Sequence, residues 1–379
     1  MSWVDLTMAE ICSDFKYGKM PPKDMSAETG YPVYSGYRIS GYAKEYLYEQ
    51  PQLILVARGV GGTGDVKISP PHAWITNLSI VLSLDETKMN KRFLYYKLGN
   101  EPLKERLNTG AAQAQITVEN LKPYRVSIPD LPTQERIAAI LSAYDDLIEN
   151  NRRRIALLEQ ATRLLYREWF VHFRFPGHET AKFVDGLPEG WARTELSEVC
   201  STNKASHKKG KIPDPVRYID IGSVSTGSID NITEYMAEDA PGRARRIAEP
   251  MDTIWSNVRP NLQAYSLVMS PKENDVFSTG FTVLHAETVS PLFLYLTVTT
   301  DDFVKYLTNH ATGASYPAVR SDDFDRAEIL VPSDDLMKAF HEFAEPIFRK
   351  RQMLGENNAQ LSAARDFLLP RLMDGRLPV

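Results

Sequence analysis

The segment Thr109-Gly110-Ala111 recurs as Thr312-Gly313-Ala314, 203 residues further along the chain. The same offset relates three residue pairs downstream: Leu121 and Phe324, Ile128 and Val331, Pro129 and Pro332. Near the start of each copy, an offset of 188 relates Trp3, Glu10, Ile11 and Cys12 to Trp191, Glu198, Val199 and Cys200. Solenoid repeats span only about 20–50 residues. The pattern therefore predicts a duplicated unit, in which one globular segment is followed by one long helix.

The two globular segments carry the same order of local patterns. In the first, short strand-like runs bounded by Gly or Pro precede a helical pattern, at residues 53–56, 78–82 and 91–107. In the second, the corresponding strand-like runs and helical pattern fall at residues 253–255, 281–284 and 291–307. Both segments are predicted to be mixed α/β. Because Cys12 and Cys200 occupy equivalent positions, we expect two small buried hydrophobic side chains, and neither a disulfide nor a metal site.

Two long helical patterns follow the globular segments, at residues 131–176 and 333–379. Along the first, residues step by three and four: Ile137, Leu141, Tyr144, Ile148, Asn151, Ile155, Leu158, Thr162, Leu165 and Trp169. The second has the same spacing: Leu336, Phe340, Phe343, Ile347, Lys350, Leu354, Asn357, Leu361, Ala364 and Leu368. A seam sustained for more than four heptads predicts coiled-coil pairing. Each helix would be about 50 Å long.

Polar residues interrupt both seams near the middle, Asn151 in the first and Lys350 with Asn357 in the second. They either fix the register of the pair from a buried position or belong to its solvated rim. Pro346 is expected to kink the second helix or to confine it to a short first segment. N-caps are expected next to the prolines that open the helices, at Thr133 and Asp334.

The composition is that of an ordinary soluble globular protein, with 43% hydrophobic and 25% charged residues and a net charge of −5. The charge is uneven: residues 1–130 carry +1, whereas residues 177–331 carry −7. If the chain binds DNA, it must therefore use local basic clusters, helped by a more basic partner. There is no apolar run of about 18 residues and no secretory signal pattern, so a cytoplasmic protein without membrane contact is expected.

The second globular segment contains basic clusters within its acidic background. One lies at residues 204–211 and includes Lys204, Lys208 and Lys209. This loop is either simply solvated or donates hydrogen bonds to DNA phosphates. A second cluster consists of Arg243, Arg245 and Arg246. Arg259, which precedes Pro260-Asn261, is a candidate for reading guanine, because Arg can bond to this base with two parallel hydrogen bonds.

The first globular segment contains a glycine-rich loop at residues 59–64, flanked by Arg58 and Lys67. The loop lacks the GK[ST] ending of a phosphate loop, and a strand-like run rather than a helix follows it. A nucleotide site is therefore disfavoured, and the loop is either a turn between strands or a loop whose backbone approaches DNA. Arg38 and Lys44, which lie near tyrosines, complete the candidate DNA-binding residues of this segment.

No catalytic residue and no metal site is predicted. The sequence lacks an Asn-Pro-Pro-aromatic or Asp-Pro-Pro-aromatic motif, a Walker motif and an HExxH motif. Its seven histidines show no metal-ligand spacing. Three hypotheses stay open at this point: a protein that reads DNA sequence, a structural adaptor whose helices oligomerise without a DNA role, and an enzyme acting on DNA alone.

These patterns resemble the specificity subunits of type I restriction–modification systems over almost the whole chain. The resemblance rests on the order of several stretches: Leu131-Pro132-Thr133-Gln134-Glu135-Arg136-Ile137, residues 164–170, Leu187-Pro188-Glu189-Gly190-Trp191, Arg259-Pro260-Asn261, Ser278-Thr279-Gly280-Phe281 and residues 368–375. It implies an α+β fold with two similar mixed α/β target recognition domains, residues 1–130 and 177–332. Two long helices, residues 131–176 and 333–379, would separate these domains and pack as an antiparallel coiled coil.

The resemblance also implies a function. Each recognition domain would read one half of a bipartite DNA target, and the helices would fix the spacer between the half-sites. The implied partners are double-stranded DNA, two methyltransferase subunits that bind S-adenosylmethionine and, in many systems, two restriction–translocase subunits. The chain itself would bind no cofactor and catalyse no reaction.

Overall fold

The structure, a computed structural model, describes residues 3–36, 38–59, 62–110, 113–208 and 210–379. It divides into two compact units. The first extends to Asn151 and resumes with Asn357–Val379, and the second is Arg152–Glu356. Each unit therefore contains one globular segment together with parts of both long helices. The four domain ranges proposed from the sequence follow the chain order instead, and they stay predictions.

The first globular segment consists of short strands and four short helices among its described residues. The strands are β1 (Val4–Thr7), β2 (Cys12–Tyr17), β3 (Ser26–Ala27), β4 (Tyr31–Ser35), β5 (Arg38–Ala43), β6 (Leu53–Val56), β7 (Val66–Ile68), β8 (Trp74–Ile75), β9 (Ser79–Leu84) and β10 (Arg125–Ile128). The helices are α1 (Met8–Ile11), α2 (Lys91–Gly99), α3 (Leu103–Leu107) and α4 (Val118–Leu121). One sheet has the order β2-β9-β6-β7, a second has the order β3-β5-β4-β8, and β1 pairs with β10.

After the central helix α5 (Leu131–Tyr166), the second globular segment repeats this plan. Its strands are β11 (Phe183–Val184), β12 (Leu187–Pro188), β13 (Ala192–Glu195), β14 (Cys200–Thr202), β15 (Val216–Ile219), β16 (Val224–Ser225), β17 (Ser228–Ile229), β18 (Thr233–Tyr235), β19 (Ala244–Arg246), β20 (Asp252–Ser256), β21 (Tyr265–Val268), β22 (Asp275–Ser278), β23 (Phe281–Ala286) and β24 (Glu328–Val331). Its helices are α6 (Pro291–Val298), α7 (Asp301–His310) and α8 (Ser321–Asp325), and the distal helix α9 (Asp334–Met373) follows.

The sheets confirm the repeat. The order β14-β23-β20-β21 matches β2-β9-β6-β7, and the pair β13 and β24 matches β1 and β10. In the remaining sheets, β4 is antiparallel to β5 and parallel to β8, while β15 is antiparallel to β18 and parallel to β22. The predicted α+β class is therefore confirmed, with two similar mixed α/β segments. Both offsets seen in the sequence relate equivalent strands.

The helical patterns predicted over residues 91–107 and 291–307 are helical in the structure, but each region forms two helices and not one continuous helix. Between α2 and α3 lies Pro102, which has no N–H for a continuous helix and disfavours the helical conformation of the residue before it. Between α6 and α7, the Thr300 hydroxyl accepts a hydrogen bond from the Phe303 N–H at 3.3 Å and begins a new helix.

The equivalent cysteines lie in the two globular cores, as predicted. Cys12 and Cys200 are buried free thiols on the equivalent strands β2 and β14. Burial raises the pKa of each thiol to about 12, because the thiolate would lose its hydration. Neither side chain is therefore a reactive thiolate at neutral pH.

The long helices begin differently from the prediction. Asp130, and not Thr133, caps α5, because its Oδ1 accepts a hydrogen bond from the Thr133 N–H at 3.0 Å. In α9, Asp334 is the first helical residue, and the carbonyl of the preceding Ser333 accepts from the Met337 N–H. The helix continues through Pro346, so its confinement to a short first segment is wrong.

In the first unit, the segments of α5 and α9 pair antiparallel. Asp145 forms an ion pair with Arg365, and Asn151 Nδ2 donates to Asn358 Oδ1 at 3.0 Å. Partner numbers fall along α9 as they rise along α5, as an antiparallel pair requires. Asn151 is only 3% exposed, which confirms it as a buried polar seam residue.

Part of the predicted seam of α9 is wrong. Asn357 is exposed, and the partner of Asn151 is the next residue, Asn358. Phe343 is 57% exposed, whereas Ala344 is fully buried. The α-helix has 3.6 residues per turn, so a strict heptad assignment drifts around the helix and misplaces some positions by one residue.

In the second unit, the α5 and α9 segments are also antiparallel partners. Glu159 Oε2 accepts a hydrogen bond from Arg351 Nη2 at 2.6 Å. Tyr166, the last residue of α5, packs against Phe340 with ring centroids 6.3 Å apart, and Phe170, in the turn that follows α5, packs against the same ring at 4.9 Å. This aromatic cluster belongs to the core of the second globular segment, so the segment and both helix portions share one apolar interior.

Candidate nucleic-acid interface

In the first globular segment, two loops meet at one end of the central strand β6. The loop after β6 is bridged to the loop around residues 109–115 by antiparallel pairing of Arg58 with Gln115. Thr63 Oγ1 adds hydrogen bonds to the carbonyls of Gly59 and Ala114, at 3.3 and 3.4 Å. Strand β7 follows this loop, so the strand-helix context of a phosphate loop is absent here. Val60, Gly61, Ala111 and Ala112 lie outside the described residues.

The predicted basic residues of this segment fall at different places. Arg58 is exposed at the paired loops, and Arg38 is exposed at the turn between β4 and β5. Lys44 follows the far end of β5, about 20 Å from Arg38 at about 3.3 Å per residue, and its Nζ donates to the Asp24 carbonyl at 2.8 Å. Lys67 lies on β7 and lines a cavity towards α5 and α9. The structure thus places Arg38 and Arg58 at turns between strands, Lys44 in the loop that follows β5, and Lys67 within a strand.

In the second globular segment, two basic clusters far apart in the sequence form one surface. Ser206 pairs with Arg246, and the His207 N–H donates to the Arg245 carbonyl at 2.8 Å. Arg246 Nη1 also donates to Ser206 Oγ at 3.0 Å. We call residues 204–208 and 243–246 together the basic strip. Lys209 lies outside the described residues.

The basic strip carries little compensating negative charge. Lys204 forms an exposed ion pair with Glu287 at 3.6 Å, which contributes little in water. Within the described ranges, no ion pair of 4 Å or less involves the remaining strip residues Lys208, Arg243, Arg245 and Arg246. Burial, with a smaller contribution from Arg245, lowers the pKa of Arg246. A phosphate bound at this strip would supply the negative charge that these side chains lack.

A succession of backbone hydrogen bonds joins the strip to the loop that carries Arg259. The Thr279 N–H donates to the Arg243 carbonyl, and the Asn257 N–H donates to the Gly280 carbonyl, both at 2.8 Å. The Arg259 N–H then donates to the Pro317 carbonyl at 2.7 Å. These loops therefore lie side by side along one edge of the segment. We call this edge, from the basic strip to Pro317, the loop edge.

Arg259 is held in an unusual conformation at the loop edge. Its φ of 51° lies in the left-handed region that favours glycine. Its Nη2 donates to the Ser315 carbonyl at 3.2 Å, and its guanidinium carbon lies 4.8 Å from the ring centroid of Tyr316. Tyr316 is 70% exposed. The sequence reading missed Tyr316, although its position two residues after the repeated Thr-Gly-Ala motif could have indicated it.

The paired loops of the two segments share one backbone frame. The Ile116 N–H donates to the Ala57 carbonyl at 2.8 Å in the first, and the Val319 N–H donates to the Asn257 carbonyl at 2.9 Å in the second. The bridge between Arg58 and Gln115 corresponds to the bridge between Val258 and Ala318. Arg58 therefore corresponds to Val258. The candidate Arg259 lies one residue further along the equivalent loop.

The described residues offer no group of three or more His, Cys, Asp or Glu side chains placed to hold a metal ion. Among the described helices, none has the combined length and apolar character needed to cross a membrane.

Comparison with known proteins adds to this geometry. Residues 2–160 match the family model described as the type I restriction modification DNA specificity domain. The type I restriction enzyme MjaIX specificity subunit of Methanocaldococcus jannaschii is 23% identical over 303 residues, which are 76% of this chain and 69% of that protein. The HindI specificity subunit of Haemophilus influenzae is 24% identical over 328 residues, 69% of this chain and 71% of that protein. A solved S subunit of the type I system of M. genitalium has the same fold, with a TM-score of 0.67, 18% identity and coverage of 98% and 96% of the two chains.

Proposed function

We propose that this chain is a specificity subunit of a type I restriction–modification system and that it reads a bipartite, asymmetric DNA target. Each globular segment reads one half-site. The main support is the shared frame of the paired loops, which presents Arg58 in one segment and Arg259 in the other. A duplicated scaffold with different side chains at equivalent loops suits the recognition of two different sequences.

Within this proposal, the candidate contacts divide into two kinds. Lysines and arginines of the basic strip bind phosphates and position the segment without reading bases. Arg58 and Arg259, at the paired loops, read base edges. The full set of candidate DNA-binding residues is Arg38, Lys44, Arg58, Lys67, Lys204, Lys208, Lys209, Arg243, Arg245 and Arg259. Lys44 and Lys67 are the weakest members, because one lies at the far end of β5 and the other faces a cavity towards the long helices.

The two long helices fix the spacer between the half-sites in this proposal. They also dock two methyltransferase subunits, and two restriction–translocase subunits join where the system contains a nuclease. S-adenosylmethionine binds to the methyltransferases, and the present chain contributes neither a catalytic group nor a cofactor site. Because the second globular segment is acidic overall, the partners supply much of the positive charge that faces DNA. The complex acts in the cytoplasm.

A domain exchange tests the proposal. The chain is expressed with its methyltransferase, residues 1–130 are replaced by the same region of a relative with a different target, and methylated adenines are mapped across the genome. One half of the methylated sequence should change while the other half stays the same. A donor segment that reads the same half-site is the matched control and should change neither half. A change in both halves at once would contradict independent reading by the two segments.

The structural adaptor is the alternative that a second assay separates. The assembled complex should shift duplex DNA, and binding should weaken as the salt concentration rises. An adaptor without a DNA role would leave the methyltransferase binding to DNA unchanged whether or not this chain is present.

A further inference from the structure

The two paired-loop frames can be compared position by position. Both contain Thr-Gly-Ala in one loop, and in both the threonine N–H donates at 2.9 Å to the carbonyl of the bridged residue, Gln115 or Ala318. What the copies share cannot distinguish two half-sites, so the common backbone frame serves folding or contacts that do not depend on sequence. The side chains that differ between the two copies, in the loops after β6 and β20, can read different bases.

The most informative difference lies at Arg259. Its equivalent in the first globular segment is Gly59, which also has a positive φ, 149°. Glycine adopts such conformations without a steric cost, whereas an arginine with a φ of 51° is strained. Selection for stability alone would favour glycine at residue 259. An arginine retained in this conformation indicates that the position of its side chain matters for function.

The arginine side chain is already oriented without DNA. One terminal nitrogen donates to the Ser315 carbonyl, and the guanidinium stacks on Tyr316. Tyr316 is 70% exposed, and nearby Leu262 is 60% exposed, so neither contributes much to the core. Stacking on an aromatic face restricts the guanidinium but leaves its outer edge accessible. The pair therefore has the character of a preorganised contact element and not of a packing contact.

We infer that Arg259 and Tyr316 together read a guanine in the half-site of the second globular segment. Arg259 donates two parallel hydrogen bonds to guanine O6 and N7, and Tyr316 positions the guanidinium for this contact. A lysine cannot replace the planar fork of donors, although it keeps the charge. This inference rests on the proposed function, and it names the base and the positioning residue at that site.

Three variants test the inference in the complete complex with the methyltransferase. R259G removes the side chain and relieves the backbone strain, so the segment stays folded. R259K keeps the charge and removes the fork. Y316A removes the stacking partner. Methylation is mapped genome-wide, and binding is titrated on duplexes in which each half-site base is replaced in turn. R193A is the matched control, because Arg193 is an exposed arginine on β13 that forms an ion pair with Glu328 outside the paired loops.

Both Arg259 variants should lose about 10- to 100-fold discrimination at one G·C pair of the second half-site and none in the first. Y316A should relax the same position by a smaller factor, and R193A should relax none. Retention of the complete target by R259K and Y316A would overturn the inference.

A chimera in which residues 177–332 come from a relative separates the two levels of the proposal. If the chimera changes one half-site while R259G, R259K and Y316A change nothing, only the assignment to Arg259 and Tyr316 fails. If the chimera also leaves the target unchanged, the proposed function fails.

Discussion

Replacement of the buried asparagine pair between α5 and α9 should give effects that are strongly non-additive. Asn151 is 3% exposed and donates to Asn358 at 3.0 Å. In N358L, the Asn151 amide stays buried without its partner, at a cost of about 1–3 kcal/mol. N151L should cost less, because Asn358 is only half-buried and retains a contact from its Nδ2 to the Ile148 carbonyl at 3.4 Å.

The double variant N151L/N358L should recover the stability lost in the single variants. Neither polar group then remains in the seam, and two leucines can pack against each other. A double-mutant cycle should give an interaction free energy of about 1–3 kcal/mol. For a unit of about 170 residues, each kcal/mol corresponds to about 2–4 °C in Tm, so N358L should lower the Tm of the first unit by about 2–12 °C.

Thermal unfolding followed by helix circular dichroism measures these values. N357L is the matched control, because Asn357 is adjacent in sequence and exposed, and it should change stability by less than about 0.5 kcal/mol. If N358L is as stable as N357L, or if the double variant equals the sum of its singles, the hydrogen bond does not stabilise the helix pair as argued.

Three further predictions address the spacer, the basic strip and a helix cap. Insertion of four residues after Asn151 adds about 6 Å of helix and should lengthen the spacer between the two half-sites by about one or two base pairs. An unchanged spacer in an active complex would show that the helices do not set this distance. K208A should weaken binding to specific and scrambled duplexes alike and reduce the salt slope by about one, and equal slopes for wild type and variant would exclude a phosphate contact. D130A should lower the urea midpoint at pH 7, because hydrogen bonds from the side chain and backbone of Thr133 hold the pKa of Asp130 below its usual value. That stabilisation is present above the unfolded-state pKa and disappears as pH falls through the lower folded-state pKa, so the difference between D130A and wild type should shrink in acid. A pH-independent difference would contradict the charged cap.

Patterns that depend on local sequence could be read without the structure. The offsets of 188 and 203 residues predicted two equivalent folds, since duplicated sequences bury the same side chains. The strands near residues 53–56 and 281–284 followed from short apolar runs between turn residues. Asn151 was predicted as an interruption of an apolar seam and is buried. The break at Pro102 also depends on local chemistry, and the sequence reading overlooked it.

Contacts between distant residues required the tertiary structure. Residues 204–208 and Arg245 lie far apart in the chain and meet only because β19 pairs beside the loop that follows β14. Arg259 and Tyr316 are brought together by a backbone bridge between two loops, which no local pattern encodes. The choice of Asn358 over Asn357 depends on how far the contact face has rotated around α9, and packing along the helix pair sets that rotation. Sequence therefore determined the repeated elements, because their formation depends on neighbouring residues. The loop edge arises from pairings between residues that lie far apart in the chain, so only the tertiary structure shows it.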